Sequence, residues 1–159
     1  MGKVSSFYII IFLILCGCFG CSRQLNERLR HVASIMSRTP EEALASLDSI
    51  DRKSLGGADQ HFYDFLTIKG RDKAYIKHTG DSLYLSVLDY YSKHRGDTLY
   101  PEVLYYGGRV YSDLGDYPTA LLYFQKSLDL LPEDTEQLEL RTRVLTQTGI
   151  LLTELRLYD

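Results

Sequence analysis

Apolar residues recur at helical spacing along most of this chain. Val87, Leu88 and Tyr91 follow Tyr84 by three, four and seven positions, which places all four on one face of a helix. Comparable apolar faces are predicted in several other segments: 25–36, 43–50, 62–76 and 104–124. No stretch alternates apolar and polar residues for the length of a strand. The pattern therefore predicts an all-α fold.

Capping residues and helix breakers divide these helices into antiparallel hairpins. Thr39 and Glu42 are spaced as a capping box at the start of a helix, and Asp81 is predicted to cap a later one. Two hairpins are predicted from these breaks: an N-terminal hairpin or cap over residues 24–58, and a second hairpin over residues 59–100.

The segment 101–134 has the most regular pattern. Small, aromatic and turn residues stand at the offsets of a tetratricopeptide repeat (TPR): Gly108, Tyr111, Gly115, Asp116, Tyr117, Ala120, Phe124 and Pro132. Gly108 allows a second helix to approach closely, Gly115 ends the first helix without a Cβ penalty, and Asp116 can cap the second. The segment therefore resembles one TPR unit of two helices.

This resemblance implies an architecture and a class of function. TPR units stack as antiparallel hairpins into a right-handed superhelix, an α-α solenoid, whose surface binds another protein and catalyses nothing. Residues 59–100 would be a degenerate unit of the same kind. Residues 135–159 would supply the first helix of a further, partial unit, with Leu145, Thr148, Gly149 and Leu152 on its packing face and Gly149 in the place of Gly108.

The resemblance also indicates where a partner would bind. The groove face of the first helix in segment 101–134 would carry Glu102, Tyr105, Arg109 and Asp113, which we predict as residues that contact an unknown protein or peptide. Family members that clamp a peptide carboxylate use Lys and Asn at two of these places, so that clamp is not reproduced. Arg109 can pair with an acidic partner group, or with Asp113 one turn on.

The first 17 residues are typical of an export signal. Lys3 is the only charge before an apolar run over residues 7–17, which is short for a membrane span. An uncleaved N-terminal membrane anchor is the alternative. The signal predicts that the chain functions outside the cytoplasm.

A cysteine cluster follows this run. Leu15, Cys16, Gly17 and Cys18 together resemble a bacterial lipobox, in which the chain is cleaved before the last cysteine. The resemblance implies a diacylglycerol and a fatty acyl group on Cys18, a lipidated tether over residues 18–23, and attachment to the inner or outer membrane of the cell envelope, facing the periplasm or the cell surface. Cys21 is the alternative lipidation site.

Charge and composition exclude other classes of function. The formal net charge is −3, and it becomes −4 without residues 1–17, so no basic stripe for nucleic acid is present. Of 13 tyrosines, 12 lie outside the predicted signal, and their helical spacing favours core positions over a carbohydrate-binding surface.

The sequence offers no residues for catalysis. The four histidines are scattered without the spacing of metal ligands, the cysteines lie in the signal region without a fourth ligand, and neither a phosphate loop nor a nucleophile elbow occurs. We therefore predict no enzyme activity, no metal and no cofactor apart from the covalent lipid.

Two functions remain open. The chain can be a small membrane-anchored adaptor or scaffold that binds a protein through its helices. Alternatively, it can be the N-terminal fragment of a longer TPR-containing membrane protein with a signalling or regulatory role, in which the repeats act as a spacer or by self-association. In the first case the last helix would be a cap, and in the second it would be covered by further repeats.

Overall fold

The computed structural model describes residues 27–133 and 136–157. Within these ranges the chain forms seven α-helices and one short 3₁₀ helix: α1 (27–35), α2 (Pro40–Asp48), the 3₁₀ helix (Arg52–Ser54), α3 (Gly57–Lys73), α4 (Ser82–Lys93), α5 (Tyr100–Asp113), α6 (Tyr117–Asp129) and α7 (Leu138–Leu157). Neither range contains a strand. The all-α prediction is therefore confirmed for this part of the chain.

The turn between α5 and α6 forms as the local sequence predicts. Gly115 has a φ of 77°, the left-handed conformation that glycine adopts without a steric penalty. The Asp116 carboxylate accepts a hydrogen bond of 3.2 Å from the Thr119 backbone N–H, so it caps α6. Pro118 lies in the first turn of α6, where no intrahelical N–H is lost.

Two other predicted caps are wrong. Thr39 precedes α2, but its side chain makes no capping hydrogen bond, so the capping box with Glu42 does not form. Asp81 precedes α4 without capping it, because its carboxylate accepts a 2.9 Å hydrogen bond from the Tyr111 hydroxyl on α5. In the second case a tertiary contact competes with the local one for the same carboxylate.

The helices pack mainly against their neighbours in sequence. From α2 onward each helix contacts the next, and α3, α5 and α7 also contact one another in that order. One hydrophobic cluster runs through the described residues. It includes most members of the predicted apolar faces: Leu29, Val32, Met36, Ala43, Leu47, Phe65, Leu66, Tyr84, Val87 and Tyr91. Leu25 lies outside the described residues.

Helix α5 is the most enclosed element because two adjacent glycines admit its neighbours. A Cβ added to Gly108 would lie 2.2 Å from Cε1 of Phe124 on α6, as the repeat pattern predicts for a small residue. A Cβ added to Gly107 would lie 2.0 Å from the Tyr84 hydroxyl oxygen on α4. The role of Gly107 was not predicted, since the partner helix belongs to the preceding hairpin.

The predicted packing face of α7 is wrong. Leu145, Gly149 and Leu152 are exposed, and no atom lies within 4 Å of a Cβ added to Gly149. The helix packs on α5 and α6 through Leu140, Val144 and Leu151 instead. The helix has two apolar stripes, and periodicity alone does not distinguish the one that α5 and α6 cover.

Candidate functional site

The predicted partner-contacting residues lie along α5 and face α3 and α7. None is exposed: Tyr105 is buried, and Glu102, Arg109 and Asp113 are half-buried. Glu102 and Arg109 form ion pairs with charged groups on α3 or α7, and the Tyr105 ring contacts a charged group on α7. The helices themselves therefore use most of this surface. Whether it also contacts a partner stays a prediction.

Glu102 connects three helices. Its carboxylate lies 3.0 Å from the Lys69 ammonium on α3 and 3.4 Å from the Arg143 guanidinium on α7. All three side chains are largely shielded from solvent, which weakens screening of the ion pairs by salt. Glu102 therefore joins α3, α5 and α7 through two ion pairs.

Arg109 makes a second connection of the same kind. It donates a 2.7 Å hydrogen bond to the Asp72 carboxylate on α3 and a 2.6 Å hydrogen bond to the Gln147 side-chain oxygen on α7. Burial opposes the positive charge, but the Asp72 carboxylate outweighs it, so the pKa of Arg109 is raised above its ordinary value. We refer to Lys69, Asp72, Glu102, Arg109, Arg143 and Gln147 as the inter-helix ladder.

The expected local pair between Arg109 and Asp113 is therefore replaced by a tertiary one. Asp113 instead accepts a 2.9 Å hydrogen bond from the backbone N–H of His78, in the connection between α3 and α4. Asp72 is the better placed acceptor for Arg109 because α3 packs directly against α5. The pairing ties the end of α5 to the segment that follows α3.

Tyr105 belongs to the core. Only 5% of its surface is exposed, and its ring meets Tyr106 edge-on at a centroid distance of 5.0 Å. The Arg143 guanidinium lies 5.3 Å from the ring centroid, within the range of a cation–π contact. Burial raises the pKa of the Tyr105 hydroxyl. The Tyr105 ring, which was predicted to contact a partner, is thus covered by groups of the same chain on α5, α6 and α7.

An open cleft lies at the end of the ladder. The α3–α5 cleft has a volume of about 240 Å³ and is lined by Asp72, Tyr75, Ile76, Lys77, Arg109 and Asp113. The cleft lies where the C-terminal ends of α3 and α5 meet. Two of the predicted residues, Arg109 and Asp113 on α5, line it. Tyr75 is 95% exposed and Ile76 is 43% exposed, so two large apolar side chains face solvent here. The sequence pattern did not identify Tyr75 or Lys77 as binding residues.

Tyr75 has an unusual backbone conformation. Its φ is 57°, and it is the one non-glycine residue with a positive φ in the described ranges. The Ile76 N–H donates to the Arg71 carbonyl at 2.9 Å, which closes the end of α3.

In the corresponding turn after α5 the Asp116 N–H donates to the Tyr111 carbonyl at 3.0 Å, and the left-handed residue is Gly115. Tyr75 therefore occupies a position that favours glycine. The missing glycine after α3 is the sequence signal that could have identified it.

Other candidate chemistry receives no support from the described residues. Among them, no group of three or more His, Cys, Asp and Glu side chains could hold a metal ion, and no helix has both the length and the apolar character needed to cross a membrane. The predicted lipidation sites, Cys18 and Cys21, lie outside the described residues, as do the signal over residues 1–17 and the tether over residues 18–23.

Comparison of the chain with protein-family models, with curated proteins and with solved structures found no match. Function is therefore inferred from the residues and their geometry.

Proposed function

We propose that this chain is a lipid-anchored adaptor of the cell envelope, with a short right-handed TPR-like superhelix that binds a protein or peptide partner at the α3–α5 cleft. The observation that carries the proposal is Tyr75, an exposed aromatic residue held in a strained conformation at the rim of a cleft with a charged base. Residues in sparsely populated backbone conformations cluster at ligand-binding sites.

The stacking of hairpins is supported by the contacts between helices. α5 and α6 pack through Gly108 and Phe124, as the two helices of one TPR unit would. The first helices of successive units, α3, α5 and α7, contact one another in order and are joined by the inter-helix ladder. Such contacts between equivalent helices are expected of a solenoid.

The composition of the cleft suggests the chemistry of the partner. Tyr75 and Ile76 offer an apolar surface, and Tyr and Arg are enriched among the residues that dominate binding energy at interfaces. Lys77 is exposed beside them, and Arg109 is partly accessible in the base. Asp72 pairs with Arg109, and Asp113 also lines the cleft, so Lys77 is the cation that faces solvent. We infer that the partner segment presents an apolar or aromatic side chain to Tyr75 and Ile76, next to an acidic group that reaches Lys77. No chemical reaction is part of this function.

Replacing Tyr75 with glycine is expected to separate binding from stability. Tyr75→Gly removes the steric cost of the left-handed conformation, so the free energy of unfolding should rise by about 0.5–1 kcal/mol, after allowance for the greater backbone entropy of glycine. The same change removes the exposed ring and should abolish partner binding. Urea unfolding measures the first effect.

Partner binding is measured by photocrosslinking from a photoreactive residue that replaces Lys77 in the full-length membrane-anchored chain. A crosslinked product is expected from position 77 and not from Leu122, an exposed residue on α6. The product should disappear in Tyr75→Gly and persist in Tyr75→Phe, which keeps the ring. An identical product in Tyr75→Gly would overturn the assignment of the cleft.

Lipidation provides an independent test of the anchor. Cys18→Ser should prevent incorporation of labelled palmitate and leave the precursor uncleaved, because the lipid-modified cysteine defines the cleavage site in this class of protein. Cys21→Ser serves as the matched control and should incorporate the label normally. The reverse result would assign the anchor to Cys21, and incorporation in a variant lacking both cysteines would contradict a lipobox anchor. With two or more acyl chains the wild-type chain should stay in the membrane fraction after a salt wash.

A further inference from the structure

The outer face of α7 carries an apolar stripe. Leu138, Leu145 and Leu152, which we call the outer stripe, are 59%, 50% and 48% exposed. They are spaced by seven residues, which places them within a narrow sector of the helix, on the side away from the face that packs on α5 and α6. No element of the described chain covers these leucines.

The surroundings of the outer stripe are unlike a solvated helix face. Residues 144–153 contain no charged side chain, although the exposed side of a surface helix ordinarily carries charges. Gly149 lies beside the stripe and has open space above it, and Thr142 lies next to Leu145 and Leu138 on the same side. Two helices could therefore approach closely along this face, since its flanks are small.

The charges at the two ends of α7 favour a second copy of the same helix as the occupant. Glu136 and Glu139 are exposed at its N-terminal end, and Arg156 is exposed at its C-terminal end. The two cations near the N-terminal end, Arg141 and Arg143, are half-buried and pair with carboxylates of the same chain, at Glu133, Glu102 and Glu139. Glu154 is half-buried and lies seven residues from Gln147, on the inward side. Antiparallel pairing would place unlike charges together and oppose the helix dipoles, whereas parallel pairing would place like charges together.

We propose that the chain forms a two-fold symmetric dimer through antiparallel pairing of α7 with α7 of a second copy. Leu138 and Leu152 are each seven residues from Leu145, so a two-fold axis at Leu145 brings every leucine of the outer stripe opposite a leucine. In this register the C-terminal turn of α7, which carries Arg156, lies beside the N-terminal end of α7 of the second copy, where Glu136 and Glu139 stand. The dimer uses no residue of the α3–α5 cleft, so it stands or falls independently of the proposed adaptor function.

The test is the mass of the full-length chain in detergent, measured by sedimentation equilibrium with the detergent density-matched. The wild-type chain should be dimeric at micromolar concentrations. Leu145→Glu and Leu145→Arg each place two like charges at the two-fold axis, so the dissociation constant of the dimer should rise by about 100-fold or more in each variant. Leu122→Glu is the matched control, because it changes an equally exposed leucine on α6 and should leave the dimer intact.

Mixing the two variants tests the symmetry. Equal amounts of Leu145→Glu and Leu145→Arg should recover a dimer, since unlike charges then meet at the axis, and this recovery also shows that the variants are folded. Four outcomes would overturn the proposal: a monomeric wild-type chain, a dimer that survives Leu145→Glu, a dimer weakened equally by Leu122→Glu, or a mixture that stays monomeric.

Discussion

The described helices are expected to unfold cooperatively between about pH 10 and about pH 12, because the core retains tyrosine protons that the unfolded chain releases. Tyr84, Tyr91, Tyr105 and Tyr106 are all at least 95% buried. Burial raises the pKa of each of these hydroxyls. Burial and a hydrogen bond to Asp81 together raise the pKa of Tyr111 to about 12.

The direction of the effect follows from proton linkage. Well below pH 10 both states hold the tyrosine protons, so the free energy of unfolding does not change with pH through these groups. Above that pH the unfolded chain loses them first, and stability falls until the folded pKa is reached. Each retained proton costs about 1.4 kcal/mol per pH unit, so the four buried tyrosines together lower stability by about 5–6 kcal/mol per unit. That loss is comparable with the whole stability of an ordinary domain.

Two spectroscopic signals check this expectation. Tyrosinate absorbance and the loss of helical circular dichroism should appear in one transition above pH 10. Tyr106→Phe is the informative variant, since this hydroxyl has no hydrogen-bond partner among the described residues and its removal costs no bond. The variant should reduce the pH dependence by about one proton. Titration of the buried tyrosines near pH 10 with helicity intact would contradict the expectation.

The substitution Gly108→Ala should destabilise the fold by about 1–2 kcal/mol. The added methyl group would lie 2.2 Å from the Phe124 ring, which is fully buried, so the ring or the helix must shift. Overpacking costs about 1–3 kcal/mol, and contacts this short with a ring belong to the upper part of that range. The cost therefore exceeds the gain of about 1 kcal/mol that alanine brings to a helix interior. Urea unfolding with an unchanged m-value measures the difference.

Gly149→Ala is the matched control, because the repeat pattern treats the two glycines as equivalent. Gly149 lies in a helix interior with open space around it within one chain, so alanine should stabilise the monomeric chain by about 0.5–1 kcal/mol. Both glycine substitutions are compared in the Leu145→Glu background, in which the proposed dimer does not form. Adding Phe124→Leu to Gly108→Ala should recover part of the lost stability by reducing the clash. A stabilising effect of Gly108→Ala similar to that of Gly149→Ala would show that α6 does not approach α5 as closely as described.

How far the sequence predicts the structure depends on how local each signal is. The turn between α5 and α6 was predicted correctly, since Gly115, Asp116 and Pro118 act on backbone groups only a few residues away. The cap at Asp81 was predicted wrongly, because the Asp81 carboxylate accepts a hydrogen bond from the Tyr111 hydroxyl, which lies 30 residues away in sequence. The site shows the same limit: Arg109 was identified as a candidate, but its partner Asp72 lies 37 residues away in sequence.

The sequence by itself determined the helices, most of their buried faces and the one regular hairpin, because propensity, periodicity and capping operate over a turn or two of helix. Only the tertiary structure decided which stripe of α7 is buried, which charges join α3, α5 and α7, and that Tyr75 stands exposed beside a cleft. These features depend on which distant residues come together in space. A sequence pattern specifies the chemical character of each residue but not its neighbour across the fold.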